Sequence, residues 1–195
     1  MKLLMLLMLP LIANGQAKVN EVIKIISVDE DSEARGGFLE AEVGHNVMDG
    51  DLLVLTMVGN GKTHPSFQEV KRVTDKGLTL VVAVKEWAKG DLKSYPVATD
   101  FVSLVTLRGP QLLVDVKTSK KGIAPRVEVI RGGALLSFFA TRKTQTLMIK
   151  DMTTQTSMRS FKGGLAIGIA PTTRDGLHKA IKASGEGLAM SLSIY

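Results

Sequence analysis

Short runs of apolar or alternating residues, separated by Gly, Asp, Asn and Pro, recur along the whole chain. Side chains alternate between the two faces of a strand, so this pattern is typical of a mostly-β protein. It predicts strands at residues 21–28, 37–43, 51–58, 67–74, 78–86, 101–107, 111–117, 126–131, 134–141, 145–151, 164–170 and 188–194. About 10–12 short strands indicate a β-sandwich or one or two small β-barrels.

One segment, near residues 173–184, has helical spacing instead. Thr172 followed by Asp175 offers a capping signal, because an acid three residues after Thr can satisfy the first free N–H groups of a helix. Leu177 and Ile181 then fall on one helical face. This helix would lie between the last two predicted strands, so the C-terminus predicts a β-α-β unit with parallel strands.

The N-terminus has the layout of a secretory signal peptide. Lys2 supplies a positive charge, and residues 3–13 form an apolar run too short to span a bilayer. Small residues then predict cleavage after Ala17, which makes residues 1–17 the signal peptide and leaves no membrane-spanning segment in the rest of the chain. We therefore expect a secreted or periplasmic protein.

A polar stretch with Gly and Pro, residues 88–100, predicts a boundary between two halves. The first would be a β-rich unit over residues 18–98, with the dimensions of a small barrel. The second would be a basic β-rich unit over 99–195 that contains the helix. A single domain is the alternative. No repeat of 20–50 residues is visible.

The composition excludes several kinds of catalytic and metal site. The 195 residues include no cysteine, which excludes disulfides, thiolate metal sites and a cysteine nucleophile. With three histidines, His45, His64 and His178, a multi-histidine metal centre is disfavoured. We expect no metal and no cofactor. A catalytic role for one of the histidines remains open.

Charge is unevenly divided between the halves. Residues 1–100 hold 11 Lys and Arg against 14 Asp and Glu, net −3, whereas residues 101–195 hold 14 against 5, net +9. A basic half predicts an anionic partner, such as a glycan, a lipid head group or an acidic protein surface. The same division also suits head-to-tail association into a homo-oligomer. Sequence-specific nucleic-acid binding is disfavoured, because aromatic residues are only 5% of the chain. The candidate partner-binding residues are Lys117, Lys120, Lys121, Arg126, Arg142 and Lys143.

Two segments, Met48 to Val54 and Glu69 to Val73, resemble the core of the LexA-type and signal-peptidase-type serine–lysine proteases. The resemblance covers about 26 residues and implies a small β-fold with Lys71 as the general base. Those proteases place the serine nucleophile shortly before the position of Asp49. This chain has no serine between Ser32 and Ser66, so the resemblance implies at most the fold.

Three further motifs are weaker. Residues 59–63 match the last positions of a phosphate loop, but its first glycine would be Thr56. The acidic run at residues 29–33 offers carboxylates for calcium without the EF-hand spacing. The glycine pairs at 132–133 and 163–164 precede apolar strands, where they suit either tight turns or an anion held by backbone N–H groups.

Together these features predict an exported, non-enzymatic protein for binding or assembly, whose basic C-terminal half engages an anionic surface or partner. One alternative is a secreted hydrolase whose site is not visible in the sequence. The other is a self-assembling structural subunit.

Overall fold

Two five-stranded antiparallel sheets make up most of the protein in its computed structural model, which describes residues 23–32, 38–109, 112–160 and 162–195. The signal peptide predicted for residues 1–17 lies outside the described residues. The strands are β1 (Lys24–Ser32), β2 (Leu39–Glu42), β3 (Leu52–Val58), β4 (Gln68–Asp75), β5 (Leu78–Glu86), β6 (Ser94–Val97), β7 (Phe101–Arg108), β8 (Leu113–Ser119), β9 (Ile123–Ala124), β10 (Glu128–Val129), β11 (Ala134–Thr141), β12 (Thr153–Ser160), β13 (Gly163–Pro171), β14 (Gly176–Leu177), β15 (Ile181–Lys182) and β16 (Leu188–Ile194). The mostly-β prediction is confirmed.

The first sheet has the strand order β1-β7-β3-β5-β4, and the second has the order β12-β13-β11-β16-β8. One apolar core lies between them, because alternate residues of each sheet point toward the other. Val54 and Phe101 of the first sheet belong to the same buried cluster as Phe138 and Leu192 of the second. The two sheets therefore form a sandwich.

Short strands and loops also cover the outer faces. The β2–β6 pair buries Leu55 and Tyr95 on the outside of the first sheet. The β9–β15 pair does the same for Phe139 on the outside of the second sheet. The central strands β3, β11 and β16 are buried along their full length, which explains why their sequences are continuous apolar runs rather than alternating ones.

The two halves of the chain repeat one topology. Written in chain order, the main strands of residues 24–108 are β1, β3, β4, β5 and β7, and those of residues 113–194 are β8, β11, β12, β13 and β16. Each set has its first strand at one edge beside its last strand, and its third strand at the other edge. Each also carries a short outer pair, β2–β6 or β9–β15. The sandwich is thus built from two copies of one strand arrangement.

Backbone details support this duplication. Gly50 and Gly132 each stand two residues before the central strand of their half, with φ of 85° and 89°. The N–H of Gly50 donates to the carbonyl of Trp87 at 3.0 Å, and the N–H of Gly132 donates to the carbonyl of Thr172 at 2.8 Å. Because Trp87 and Thr172 each follow the strand that pairs with the central one, these bonds are equivalent.

The β-bulges fall at equivalent positions as well. The first strand of each half is interrupted near its start, at Ile26 in β1 and at Val114 in β8. The outer strand of each hairpin is interrupted at Val70 in β4 and at Gln155 in β12. A bulge inserts one residue and shifts every later pairing by one. Four matched interruptions therefore mean that the halves share register as well as strand order.

The predicted helix near 173–184 is wrong. Those residues form β14, β15 and turns, and the described part of the chain contains no helix that is long and apolar enough to cross a membrane. Gly176 has φ of 111°, outside the helical region, and Leu177 is 48% exposed, so its helical spacing does not correspond to a buried face. The predicted parallel β-α-β unit is wrong for the same reason: the last two main strands both pair antiparallel with β11.

Candidate functional site

Several predicted basic residues lie at one end of the sandwich, where β8 and β11 finish beside the β4–β5 turn. The Lys120 ammonium lies 3.5 Å from the Asp75 carboxylate of that turn. The Arg142 guanidinium lies over Gly77: a Cβ added there would be 2.5 Å from Nη2. Cations from the second half thus surround a hairpin turn of the first.

The turn itself has the geometry that this contact requires. Lys76 and Gly77 have φ of 47° and 76°, the two positive values expected at the centre of a two-residue hairpin. Gly77 has no side chain, so it leaves the space that the Arg142 guanidinium occupies. Any larger residue at position 77 would have to displace Arg142.

Five cations contribute to this region, which we call the basic end: Lys76, Lys120, Lys121, Arg142 and Lys143. All five are exposed, with the Lys120 side chain at 58%. The acids at this end include Asp75, which pairs with Lys120, Glu186, whose backbone packs beside Gly122, and Asp100, whose partner Lys162 precedes the Gly163 that lies against Arg142. Positive charge therefore exceeds negative charge at this end, and the side chains can reach a partner.

Lys117 and Arg126 lie away from the basic end. Lys117 stands earlier on β8, and its ammonium pairs with the Asp115 carboxylate at 3.1 Å. Its cross-strand neighbour Ser191 donates a hydrogen bond to the carbonyl of Pro125, next to Arg126. The structure thus places these two predicted residues beside the outer face of the β8 edge and the other four at the end of the sandwich.

Sequence reasoning missed Lys76 as a member of the basic end. The segment 75–77 predicts a turn, but nothing in the sequence shows that the ends of β8 and β11 reach it. Lys76 belongs to the acidic first half, so a count of charge by halves excludes it.

Negative charge collects on the opposite side of the first sheet, around β1. The Asp29 carboxylate accepts a hydrogen bond from the N–H of Glu42 at 2.7 Å, and the Asp31 carboxylate accepts one from the N–H of Glu40 at 3.2 Å. Glu30 is exposed between them. None of the ion pairs between described residues involves these five carboxylates. The same described residues contain no group of three or more His, Asp and Glu side chains arranged to hold a metal ion.

One ion pair is largely removed from water. The Asp51 carboxylate, 2% exposed, accepts two hydrogen bonds from the Arg108 guanidinium at 2.8 and 2.7 Å. The carboxylate also accepts a hydrogen bond from the N–H of Met48 at 2.8 Å. The hydrogen bonds between Arg108 and Asp51 raise the pKa of Arg108 above its usual value. These bonds fasten the loop before β3 to the end of β7.

A shallow depression of about 600 Å³ adjoins this pair, lined by Ile25, His45, Met48 and Arg108 among others. A histidine here would need a free carboxylate and a hydroxyl to act as a hydrolase base. The nearby carboxylate, Asp51, is already held by Arg108. Asp51 in this structure thus binds Arg108 rather than a histidine.

The other two histidines have local contacts of their own. His64 packs edge-on against Tyr95 and Phe67, with ring centroids 5.2 and 6.5 Å away, and its Nδ1 accepts the N–H of Ser66. His178 Nδ1 lies 2.9 Å from the carbonyl of Lys179. Tyr95 is fully buried, its hydroxyl has no hydrogen-bond partner among the described residues, and burial together with Asp91 raises its pKa to about 12.

The remaining motifs have structural explanations. Lys71 is exposed on the edge strand β4, so burial does not activate it as the protease resemblance implies. The loop 59–63 leads into turns and β4 rather than into the helix that a phosphate loop precedes. Gly133 and Gly163 lie against backbone carbonyls of Ile194 and Thr141, where a Cβ would come within 2.2 and 2.0 Å.

The chain matches no family model, and neither a curated protein nor a solved structure shows significant similarity to it.

Proposed function

We propose that this protein is an exported, non-enzymatic binding or assembly protein whose basic C-terminal half engages an anionic surface or partner. The observation that carries the proposal is the convergence of Lys120 and Arg142 on the β4–β5 turn. Lysines adjacent to them in the chain extend the same positive region.

The chemistry of the basic end suits reversible electrostatic contact. Exposed ammonium and guanidinium groups attract anions, steer their approach and are screened by salt. Arg142 adds a planar donor that can bind carboxylate, sulfate or phosphate oxygens with two hydrogen bonds. Glycans, lipid head groups and acidic proteins all present such oxygens.

A charge-neutral variant tests the proposal. Replacing Lys120, Lys121 and Arg142 together by Gln removes three charges from the basic end. The matched control removes three exposed charges elsewhere, at Lys89, Lys150 and Arg174. Heparin serves as the anionic probe, and affinity is measured by fluorescence anisotropy across a NaCl titration.

We expect the basic-end variant to lose at least about tenfold in heparin affinity, which corresponds to about 1.4 kcal/mol. The control should lose much less, because it leaves all five cations of the basic end in place. Equal losses in the two variants would show that only net charge matters and would overturn the assignment to the basic end. Unchanged affinity in both would do the same.

A further inference from the structure

We infer that the open edge of β1 in one copy pairs with the open edge of β8 in a second copy, so that copies join head to tail. This rests on the proposed function, because Lys117, Lys120 and Lys121 of the basic half supply the cations. It goes further by naming the partner as a second copy of the same chain.

Both strands have an unpaired side among the described strands. β1 pairs only with β7, and β8 pairs only with β16. The bulges at Ile26 and Val114 interrupt the start of each strand and leave a regular stretch after it. These stretches, residues 27–32 and 115–119, are the β1 edge and the β8 edge. An unpaired edge presents N–H and C=O groups that another strand can complete.

The two edges are structurally equivalent but differ in charge: the β1 edge carries three carboxylates, whereas Lys117 of the β8 edge is balanced by Asp115 and further lysines follow the strand. β1 and β8 are the first strands of the two repeated halves, with bulges at the same position. By that alignment Lys117 occupies the place of Asp29. The β1 edge continues with Glu30 and Asp31, and the β8 edge leads into Lys120 and Lys121.

Charge also selects which edges meet. Two β1 edges would place carboxylates opposite carboxylates, and like charges directly opposite destabilise a strand pair. The β8 edge is itself balanced by the Asp115–Lys117 pair, and its positive excess lies in Lys120 and Lys121 just beyond it. A β1 edge against a β8 edge brings the carboxylates towards those lysines, so the charges that oppose pairing of two β1 edges favour a β8 edge as the partner.

The edges cannot meet within one molecule. β1 and β4 are the opposite edges of the first sheet, and β8 lies against β4, as the contact between Lys120 and Asp75 shows. Four strand spacings of ~4.8 Å separate β1 from β4, or about 19 Å. That exceeds the Debye length of about 8 Å at physiological salt. Charges this far apart do not attract each other appreciably within one molecule, so both edges remain available to a second copy.

A contact between two different edges leaves one free edge of each kind at the ends of the pair. Such a heterologous contact propagates into a ring if the rotation closes and into an open chain if it does not. Assembly should therefore continue past the dimer as protein concentration rises and reverse as salt rises.

Complementary charge reversal tests the inference. The first variant is Glu30→Lys with Glu42→Lys, which spares Asp29 and Asp31 because their carboxylates bond to the backbone of β2. The second is Lys117→Glu with Lys121→Glu. Sedimentation velocity is run on each variant alone, on their equimolar mixture and on the wild type, at about 20 mM and about 0.5 M NaCl. Circular dichroism checks folding, and Gln replacements at the same positions provide milder versions.

We expect the wild type to form oligomers at low salt that dissociate at high salt. Each reversed variant alone should stay monomeric, and the mixture should regain oligomers. The Gln versions should assemble less than the wild type without this rescue. A wild type that remains monomeric at low salt, or a mixture that fails to regain oligomers, would overturn the inference.

Site-specific cross-linking tests the contact itself. The chain has no cysteine, so Glu30→Cys and Thr118→Cys proteins each carry a single thiol. With a short bismaleimide, their mixture should yield a covalent dimer joining the two. A control mixture of Glu30→Cys with Lys89→Cys should not. Equal yields in both mixtures would count against pairing of these edges.

The two proposals fail in distinguishable ways. If the wild type is monomeric at low salt yet binds heparin through the basic end, the proposed function stands and the second-copy partner falls. If it shows neither self-association nor heparin binding, both fall.

Discussion

Cutting the chain between β7 and β8 tests whether either repeated half can fold without the other. The halves share the core between the sheets, and ten apolar side chains of the first half are buried in it. They are Ile23, Leu52, Val54, Val58, Val73, Leu80, Val82, Phe101, Val105 and Leu107. A half on its own would expose this face to water.

The expected penalty follows from that list. Leaving a large apolar side chain exposed forfeits at least about 1.5 kcal/mol, so ten of them forfeit about 15 kcal/mol. The net stability of a whole domain is about 5–15 kcal/mol. The loss therefore matches or exceeds all the stability available, and neither half should fold as a monomer.

The assay produces residues 18–109 and residues 110–195 separately and together. Thermal melts followed by circular dichroism and gel filtration report folding and size. Separately, each half should lack a cooperative transition; together, they should elute as a one-to-one complex that melts cooperatively. A cooperative melt from either half as a monomer would refute the reasoning, because it would show that the shared core is dispensable.

Three further predictions concern stability. Arg108→Ala strands the buried Asp51 carboxylate with a single backbone donor and should lower the urea midpoint of unfolding clearly more than Lys179→Ala, which removes the exposed pair with Asp151; equal shifts in the two variants would contradict the role given to the Asp51–Arg108 pair. The pKa of Tyr95 is about 12 in the folded protein, against an ordinary value of about 10, so this hydroxyl ionises first in the unfolded state. The stability of the folded state should therefore be complete below about pH 10 and should fall between pH 10 and 12. Tyr95→Phe should remove part of that alkaline loss without destabilising the protein at neutral pH, since no described residue bonds to the hydroxyl; an unaltered stability profile above pH 10 would exclude Tyr95 as its source. Gly50→Ala and Gly132→Ala should each cost about 1–2 kcal/mol in thermal melts, because both residues have positive φ in open surroundings, and clearly unequal costs would argue against their equivalence.

Much of the strand pattern could be predicted from the sequence. The observed β5, β11 and β16 match the predicted bounds, because long apolar runs between turn residues are a strong local signal. The segment 145–151 fails: only Ile149 forms a bridge, to Ala183. β12 lies in a polar run, and its place in the sheet depends on pairing with β13 rather than on its own composition.

The failed helix shows where local spacing misleads. Leu177 and Ile181 are four residues apart, which suits a helix, but only Ile181 is buried. Ile181 pairs with Ala124, more than fifty residues earlier, to cover the outer face of the second sheet. Such a contact is not visible in a short window of sequence, and it overrides local propensity.

The basic end could be predicted only in part, for the same physical reason. Lys120 and Lys121 stand out because they are adjacent. Arg142 and Lys76 belong to the same region only because β8, β11 and the β4–β5 turn meet there. A count of charge along the chain considers only residues that are neighbours in sequence. A binding surface contains residues from different strands whose ends lie together in the fold.

The duplication explains which features of this chain folding constrains and which it leaves free. Bulges and positive-φ glycines recur at matched positions, because a shifted bulge would change the register of every later pair and turn buried side chains outward. Exposed charges on the edges carry no such constraint, since surface substitutions usually change stability by less than about 0.5 kcal/mol. At the matched position the two halves differ: Asp29 accepts a hydrogen bond from the N–H of Glu42, whereas Lys117 pairs with Asp115. The exposed side chains of Glu30 and Lys121 make no such contact with the described residues, and the proposed pairing of the β1 and β8 edges would give their charges a role.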